Sequence, residues 1–497
     1  MLIGGGYRAC AQYFPHLAFQ KFYDNVGEDV ATRIVRAHDG QLLIGGHTIM
    51  PDSAHSGCAN IWIIKVDTLG ELLWDQEINL SGCEMLRDMI LTHDGGVLFT
   101  GVTSSLISHE EKGDEGYWGD YFIGKMDSAG TVEWLQSYGG SRLDQAFGIV
   151  AGIYREYMVV GSSHSRDGDV AQNSGMSDIW TLKIDNRGKT RYSKVLGGSR
   201  NDWGLATTRC MNGDYVIAGL SDSPELDAGI PGLYGNGVVI RLTQSGNVVW
   251  QRLLPTRWGG YLSCLTETPD ETLLLAGNYA SEPGDRDFWW VALDKNGSQR
   301  QRVVIPGPND EYITSLDRCA DGGILLGGYS VSRGFQGLPY KGGDDFWLLR
   351  TQPDGELIWR RAYGGTQHER CHDVLVYRPG VYYAVGEKVN RFTRANGSID
   401  KDFWLLRVEE YPQDSIQASI FVRANDYRID RQTPTRFRAQ YRYGERFLWD
   451  FGDGTTSTEA QPLKTYTLSG SYTVTLTVWA SETCQQTTVL VRELEVW

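Results

Sequence analysis

The chain has 497 residues, 41% hydrophobic and 22% charged, which is globular rather than disordered composition. That length fits two to four ordinary domains, or one large β domain and a small one. The net charge of −15 repels polyanions and argues against nucleic acid as a partner, and no run approaches the roughly 18 apolar residues of a membrane helix.

The 60 glycines and 16 tryptophans point to tight turns and flat aromatic packing surfaces, hence to β-rich architecture. The first residues, MLIGGGYRACAQ, contain Ala9-Cys10-Ala11, a triplet like a signal-peptide cleavage site. Residues 1–15 are expected to be a signal-peptide remnant or a tail. Eight cysteines are too few for a disulfide-dense scaffold, and no CxxC pair offers a four-cysteine zinc site.

Residues 16–411 are built from one repeated unit. It reads NIWIIKVDTLGELLW at 60–74, DYFIGKMDSAGTVEW at 120–134 and DIWTLKIDNRGKTRY at 178–192. It recurs as NGVVIRLTQSGNVVW at 236–250, DFWWVALDKNGSQRQ at 287–301, DFWLLRTQPDGELIW at 345–359 and DFWLLRVEEYPQDS at 402–415. A second recurrent stretch lies between the anchors, as in HDGGVLFTG at 93–101 and ADGGILLGG at 320–328. Each repeat therefore holds about four short strands joined by Gly/Asp turns, the pattern of a propeller blade. Phe346 and Leu348 alternate with Trp347 and Leu349, so this strand is apolar on both faces, as a blade sandwiched between two neighbours requires.

There are seven copies, and the last lacks its fourth strand. LAFQKFYDN at 17–25 resembles the outer strand LIWRRAYGG at 357–365. The N-terminal strand is thus expected to complete the seventh blade and remove an exposed edge.

The turn Asp127-x-x-Gly130-x-x-x-Trp134 resembles the blade staples of quinoprotein-type propellers and, less closely, sialidase Asp boxes. The resemblance implies a structural role, with the aspartate capping turn amides and the tryptophan packing between blades. Thr243 replaces the acid in the fourth copy and Gln301 the aromatic in the fifth.

Asp29, Asp144, Asp202, Glu311 and Glu369 recur at one slot before the innermost strands. Two readings are open. Each carboxylate caps amides of a neighbouring loop, or together they ring a channel mouth and hold a cation of calcium type. The chain otherwise implies no cofactor.

The segment His368–His372, HERCH, matches the zinc-protease pattern His-Glu-x-x-His. It follows Gly364-Gly365 and leads into a strand, where i and i+4 stand about 13 Å apart, too far to share one zinc without a sharp turn. Glu369 is also a repeat position present in blades without these histidines. A metalloprotease is therefore not the expected reading.

The most varied loops, 104–119, 162–177 and 330–343, present Tyr117, Trp118, Asp167, Asp169, Phe335 and Tyr340 as candidate binding residues. Aromatics beside acids suit glycan stacking; Trp118 as a loop core residue is the alternative. Cys58 and Cys83 fall in loops on the same face and are a candidate disulfide, fitting an exported protein.

Residues 412–497 lose the repeat. FLWDFGDGTTSTEAQPLKTYTLSGSYTVTLTV at 447–478 closely resembles the polycystic kidney disease (PKD) domain, with Lys464 where a histidine is common. The resemblance implies an immunoglobulin-like β-sandwich serving as spacer or adhesion module on extracellular proteins. The strict alternation of YTVTLTV agrees, since it marks a strand with one buried face. The propeller repeat also resembles repeats of bacterial secreted and cell-surface proteins, many exported by the type IX route. Those usually carry a further sorting domain.

The expected whole is an all-β, exported or cell-surface binding module for a glycan or protein. The alternatives are a carbohydrate-active hydrolase or lyase using loop carboxylates, and a structural component of a surface assembly.

Overall fold

The computed structural model describes residues 13–25, 27–49, 58–80, 82–103, 119–170, 172–226, 235–282, 285–307, 309–331, 342–391, 400–412, 417–422, 428–442, 446–479 and 487–496. Two compact units emerge: Ala18–Val408, and Glu409–Trp497 together with Met1–Leu17.

The larger unit is a β-propeller. Its strands form four-stranded antiparallel blades, the second being Glu84–Leu91, Val97–Thr103, Asp120–Met126 and Val132–Tyr138. The others span 28–78, 144–196, 202–254, 260–305 and 311–363, and the last combines 369–412 with Tyr13–Tyr23. A single parallel bridge, Glu28 to Lys401, joins the last blade to the first. No sheet closes on itself. Successive blades pack face to face instead, and the last packs on the first.

The sequence pattern explains this packing. Third strands such as Asp120–Met126 and Asp345–Thr351 are buried at every residue, because both faces meet another blade. Tyr121 packs against Trp180 of the next blade with ring centroids 4.3 Å apart, and Phe288 against Trp347 at 4.9 Å. Trp62 meets Phe403 at 4.5 Å across the closure. Burying one such indole contributes on the order of 5 kcal/mol of hydrophobic free energy. The N-terminal strand pairs with Asp400–Pro412, and Gln20 Oε1 accepts a 3.2 Å hydrogen bond from Trp404 Nε1.

The recurrent turn is a staple between blades. Asp127 Oδ1 accepts the amides of Ala129 and Thr131 at 2.9 Å, and Gly130 adopts φ 91°. A Cβ on Gly130 would meet the Trp74 ring of the preceding blade at 3.2 Å. Trp134 in turn donates to Asn186 O of the following blade, 3.1 Å away.

Each innermost strand carries a β-bulge at the same position, for example between Leu86 and Asp88 and between Cys371 and Asp373. Opposite each bulge lies a glycine of the second strand. A Cβ on Gly101 would approach Met85 O far inside 3.0 Å, and Gly46, Gly161, Gly219, Gly277, Gly328 and Gly386 face the same clash. The bulge pulls the neighbouring carbonyl toward this glycine and re-aims one side chain per blade into the central channel.

The C-terminal unit is a two-sheet sandwich. Gln417–Val422, Thr435–Arg442 and Leu463–Lys464 form one sheet; five strands, including Arg446–Asp450, Gly470–Trp479 and Thr487–Val496, form the other. Phe437, Trp449, Phe451, Tyr466, Val474 and Leu476 fill the core. Tyr466 Oη donates to Phe451 O at 2.9 Å, which fixes the DFGDG turn. Lys464 reaches Asp453 at 2.5 Å and lies over the Phe451 and Tyr466 rings.

Candidate binding site at the junction of the fourth and fifth blades

The recurrent acids stand at the start of the innermost strands, where one blade meets the next. All five are fully buried. Asp144 Oδ2 accepts the Gly140 amide and the Ser165 hydroxyl, both at 2.8 Å. Asp202 Oδ2 repeats this with Gly198 and Ser223, while Ser221 donates to its other oxygen. Asp29 accepts the Asn25 amide at 2.7 Å, and Glu311 the Ser330 hydroxyl at 3.1 Å. Glu369 lies against Gly364. Sequence reasoning missed a further member, Glu84, which accepts Leu80 N at 3.3 Å and Thr103 Oγ1 at 3.1 Å.

These carboxylates therefore tie the linker between two blades to the second strand of their own blade. Burial raises the pKa of Asp29 to about 7 and of Asp144 to about 6, and raises those of Asp202, Glu369 and Glu84. A second acid on the preceding blade adds to the rise: Asp402 at Asp29, Asp120 at Asp144, Asp345 at Glu369. Among the described residues, the one group of three or more acids able to share a cation is Asp24, Asp29 and Asp402, with ligand atoms within 4.8 Å of one another. Asp144, Asp202, Glu311 and Glu369 do not join it.

The fifth blade breaks the pattern. Gly260 occupies the slot, since its amide reaches Gly235 O at 2.9 Å just as Asp144 N reaches Gly119 O at 2.7 Å. With no carboxylate there, a cavity of about 380 Å³ opens between the fourth and fifth blades. Trp258, Tyr261 and Tyr279 supply its aromatic walls; Asp222, Asn278 and Arg286 supply polar groups. Asn278 Nδ2 donates to Glu311 O, whereas its buried Oδ1 has no partner. Arg286 is steered by Tyr312, whose hydroxyl lies 3.1 Å from Nη1. Burial raises the Tyr261 pKa, so this hydroxyl stays protonated and able to donate. The size falls at the lower end of small-ligand sites, and apolar faces with a few placed polar groups suit a neutral, hydroxyl-rich ring.

Asp167 and Asp169 are exposed, and each accepts a backbone amide of the neighbouring linker. Asp167 Oδ1 accepts Ser141 N at 2.7 Å, and Asp169 Oδ2 accepts Gly139 N at 3.2 Å. Both pin the linker between the second and third blades. Tyr117, Trp118, Phe335 and Tyr340 lie outside the described residues. Cys58 and Cys83 form a disulfide with Cα atoms 4.5 Å apart. Cys210, Cys264, Cys319 and Cys371 are buried thiols.

HERCH is not a helical zinc motif. Glu369 begins a strand that runs to Arg378, and its carboxylate belongs to the blade junction. His368 Nδ1 accepts the Asp344 amide at 3.2 Å, and His372 is the bulge residue of its strand.

Comparison with known proteins identifies the C-terminal unit. Residues 422–493 match the family model described as PKD domain. A pre-pro-metalloprotease, PrtV, of Vibrio cholerae serotype O1 is 60% identical over 45 residues, 8% of this chain and 5% of that protein. Collagenase ColA of Bacillus cereus is 54% identical over 50 residues, 10% of this chain and 5% of that protein. The chain thus spans about 5% of the length of the curated relatives it matches. Among solved structures, hydrazine synthase of Kuenenia stuttgartiensis covers 76% of this chain and 97% of its own, at 13% identity and a TM-score of 0.45. The C-terminal segment is a PKD domain, and it follows a β-propeller in the sequence.

Proposed function

We propose that this chain is an exported binding module whose propeller takes a glycan, or a similar hydroxyl-rich ligand, in the pocket left by Gly260. The observation that carries this reading is the pocket itself. At the one described junction where the buried carboxylate is missing, three aromatic side chains line the space, and Asn278, also part of its lining, keeps its buried Oδ1 without a partner. Stacking on Trp258 and Tyr279 would supply most of the affinity, and Asn278, Asp222 and Arg286 would orient hydroxyls. The PKD domain acts as spacer or adhesion domain. Export fits the Cys58–Cys83 disulfide, a bond that persists in oxidising compartments. Of the recurrent acids, Asp29 is the one that would hold a cation, together with Asp24 and Asp402, the group of acids close enough to share one among the described residues.

The test is a polysaccharide panel with the full chain in calcium buffer, scoring retention and new reducing ends on the same samples. Retention without cleavage, lost in Trp258→Ala, supports the reading. New reducing ends would replace it with a carbohydrate-active enzyme. No retention on any polysaccharide would direct the search to a protein ligand.

A further inference from the structure

The central channel holds a second site of different character. The seven bulges turn one side chain per blade inward, and the cavity they surround measures about 170 Å³. That space holds on the order of ten waters, enough for an ion and its hydration but too little for a disaccharide. Hydroxyls come from Thr32, Ser263 and Thr314, each already donating to a strand carbonyl. The cationic and aromatic members are Arg87, His372 and Phe147.

The two arginines of this channel differ. Arg33 is held by Asp88 at 2.6 Å and Asp373 at 3.0 Å. Both acids are spent on blade junctions as well: Asp88 accepts Ile149 N, and Asp373 accepts Ile34 N and Ser315 Oγ. Arg87 has no ion pair among the described residues, and its guanidinium stands 6.0 Å from the centroid of the Phe147 ring. The surrounding channel walls pull the Arg87 pKa down although the residue stays exposed, whereas at Arg33 the two acids overcome burial and push the pKa up. Two imidazoles lie within the field of Arg87: His372, with Nε2 buried and unpartnered, and His47, with Nδ1 in the same condition. Glu387 is the acid nearest in influence to His372, and it is engaged by Lys401 at 3.4 Å and Arg370 at 3.9 Å. The Arg87 side chain is exposed and lines the channel cavity with no counter-charge among the described residues, so its donors are free to take up an anion.

We infer that the channel is a binding site for a small oxyanion, a carboxylate or an inorganic anion of phosphate size, gripped by the Arg87 fork beside His372. The planar fork suits two oxygens of one anion. The net charge of the chain opposes anion approach, so occupancy depends on this local geometry rather than on long-range attraction.

Isothermal titration of the full chain with sodium acetate and with sodium phosphate, against sodium chloride at matched ionic strength, tests the site. Saturable binding of one or both is expected, and which arm binds identifies the carboxylate or phosphate source. Arg87→Gln should weaken it at least tenfold, and Arg87→Lys, which keeps the charge but loses the fork, should fall between. Arg187→Gln, in an exposed turn, should leave binding unchanged. Absence of saturable binding to the natural chain overturns the proposal, as does equal binding by Arg87→Gln.

Discussion

Asp29 offers a direct measure of how the blade junctions store electrostatic free energy. Burial, Asp24 and Asp402 raise its pKa against hydrogen bonds that lower it, from 3.8 to about 7. In the unfolded chain the group titrates near 3.8. Between these values the folded protein holds a proton that the unfolded chain has released. Stability from this group is therefore present at low pH and is lost as pH rises toward and through 7. Integrating the two titrations from pH 5 to pH 8 gives a loss of about 2.5 kcal/mol. Asp29→Asn keeps an oxygen for the Asn25 amide but cannot ionise. Urea unfolding at several pH values, followed by tryptophan fluorescence, should show the natural protein losing about that much relative to the variant. Parallel stability profiles, or a natural protein that gains on the variant as pH rises, would falsify this account.

Further perturbations probe other features. Gly101→Ala drives a methyl group into Met85 O opposite the bulge and should cost about 2–3 kcal/mol in urea unfolding. Serine at both Cys58 and Cys83 opens a loop with 25 residues of sequence separation and should lower stability by about 3.5 kcal/mol by the chain-entropy estimate, read as a fall in the thermal midpoint. Trp258→Ala should abolish glycan retention while leaving far-ultraviolet dichroism unchanged, because the indole lines the pocket and not the blade core. Lys464→Ala removes the partner of Asp453 and the cover on Phe451, and should lower the stability of the PKD domain by about 1 kcal/mol.

The blades were legible because the repeat writes its strands directly. DFWLLR and its relatives show burial on both faces, and every second strand carries within it the glycine that faces the bulge. The bulges themselves were hidden. The innermost strands do alternate buried and more exposed residues, but the bulge shifts that alternation by one within a run of only eight to ten residues, too short for the shift to be read from sequence. So Arg87 and His372 could not be placed in the channel from sequence. The pocket was hidden for another reason: its signal is one missing side chain. Blades three and four are entered through GGSRLD and GGSRND, whereas the fifth is entered through PTRWGG, with Gly260 where an acid belongs. The amide bonds of Asp167 and Asp169 were equally hidden, because loop acids look alike in sequence whether they face a ligand or a neighbouring amide.

The pairing of Tyr13–Tyr23 with Asp400–Pro412 also sets a timetable. During synthesis at roughly 5–20 residues per second, the first of these strands waits about 20–80 s for the second to emerge. Throughout that interval Phe19 and Phe22 have no blade to join, and every other blade can be finished before this one. The ring is therefore completed last at the place where its two ends meet. A chaperone that shields the early strand would govern yield more than the stability of any single blade.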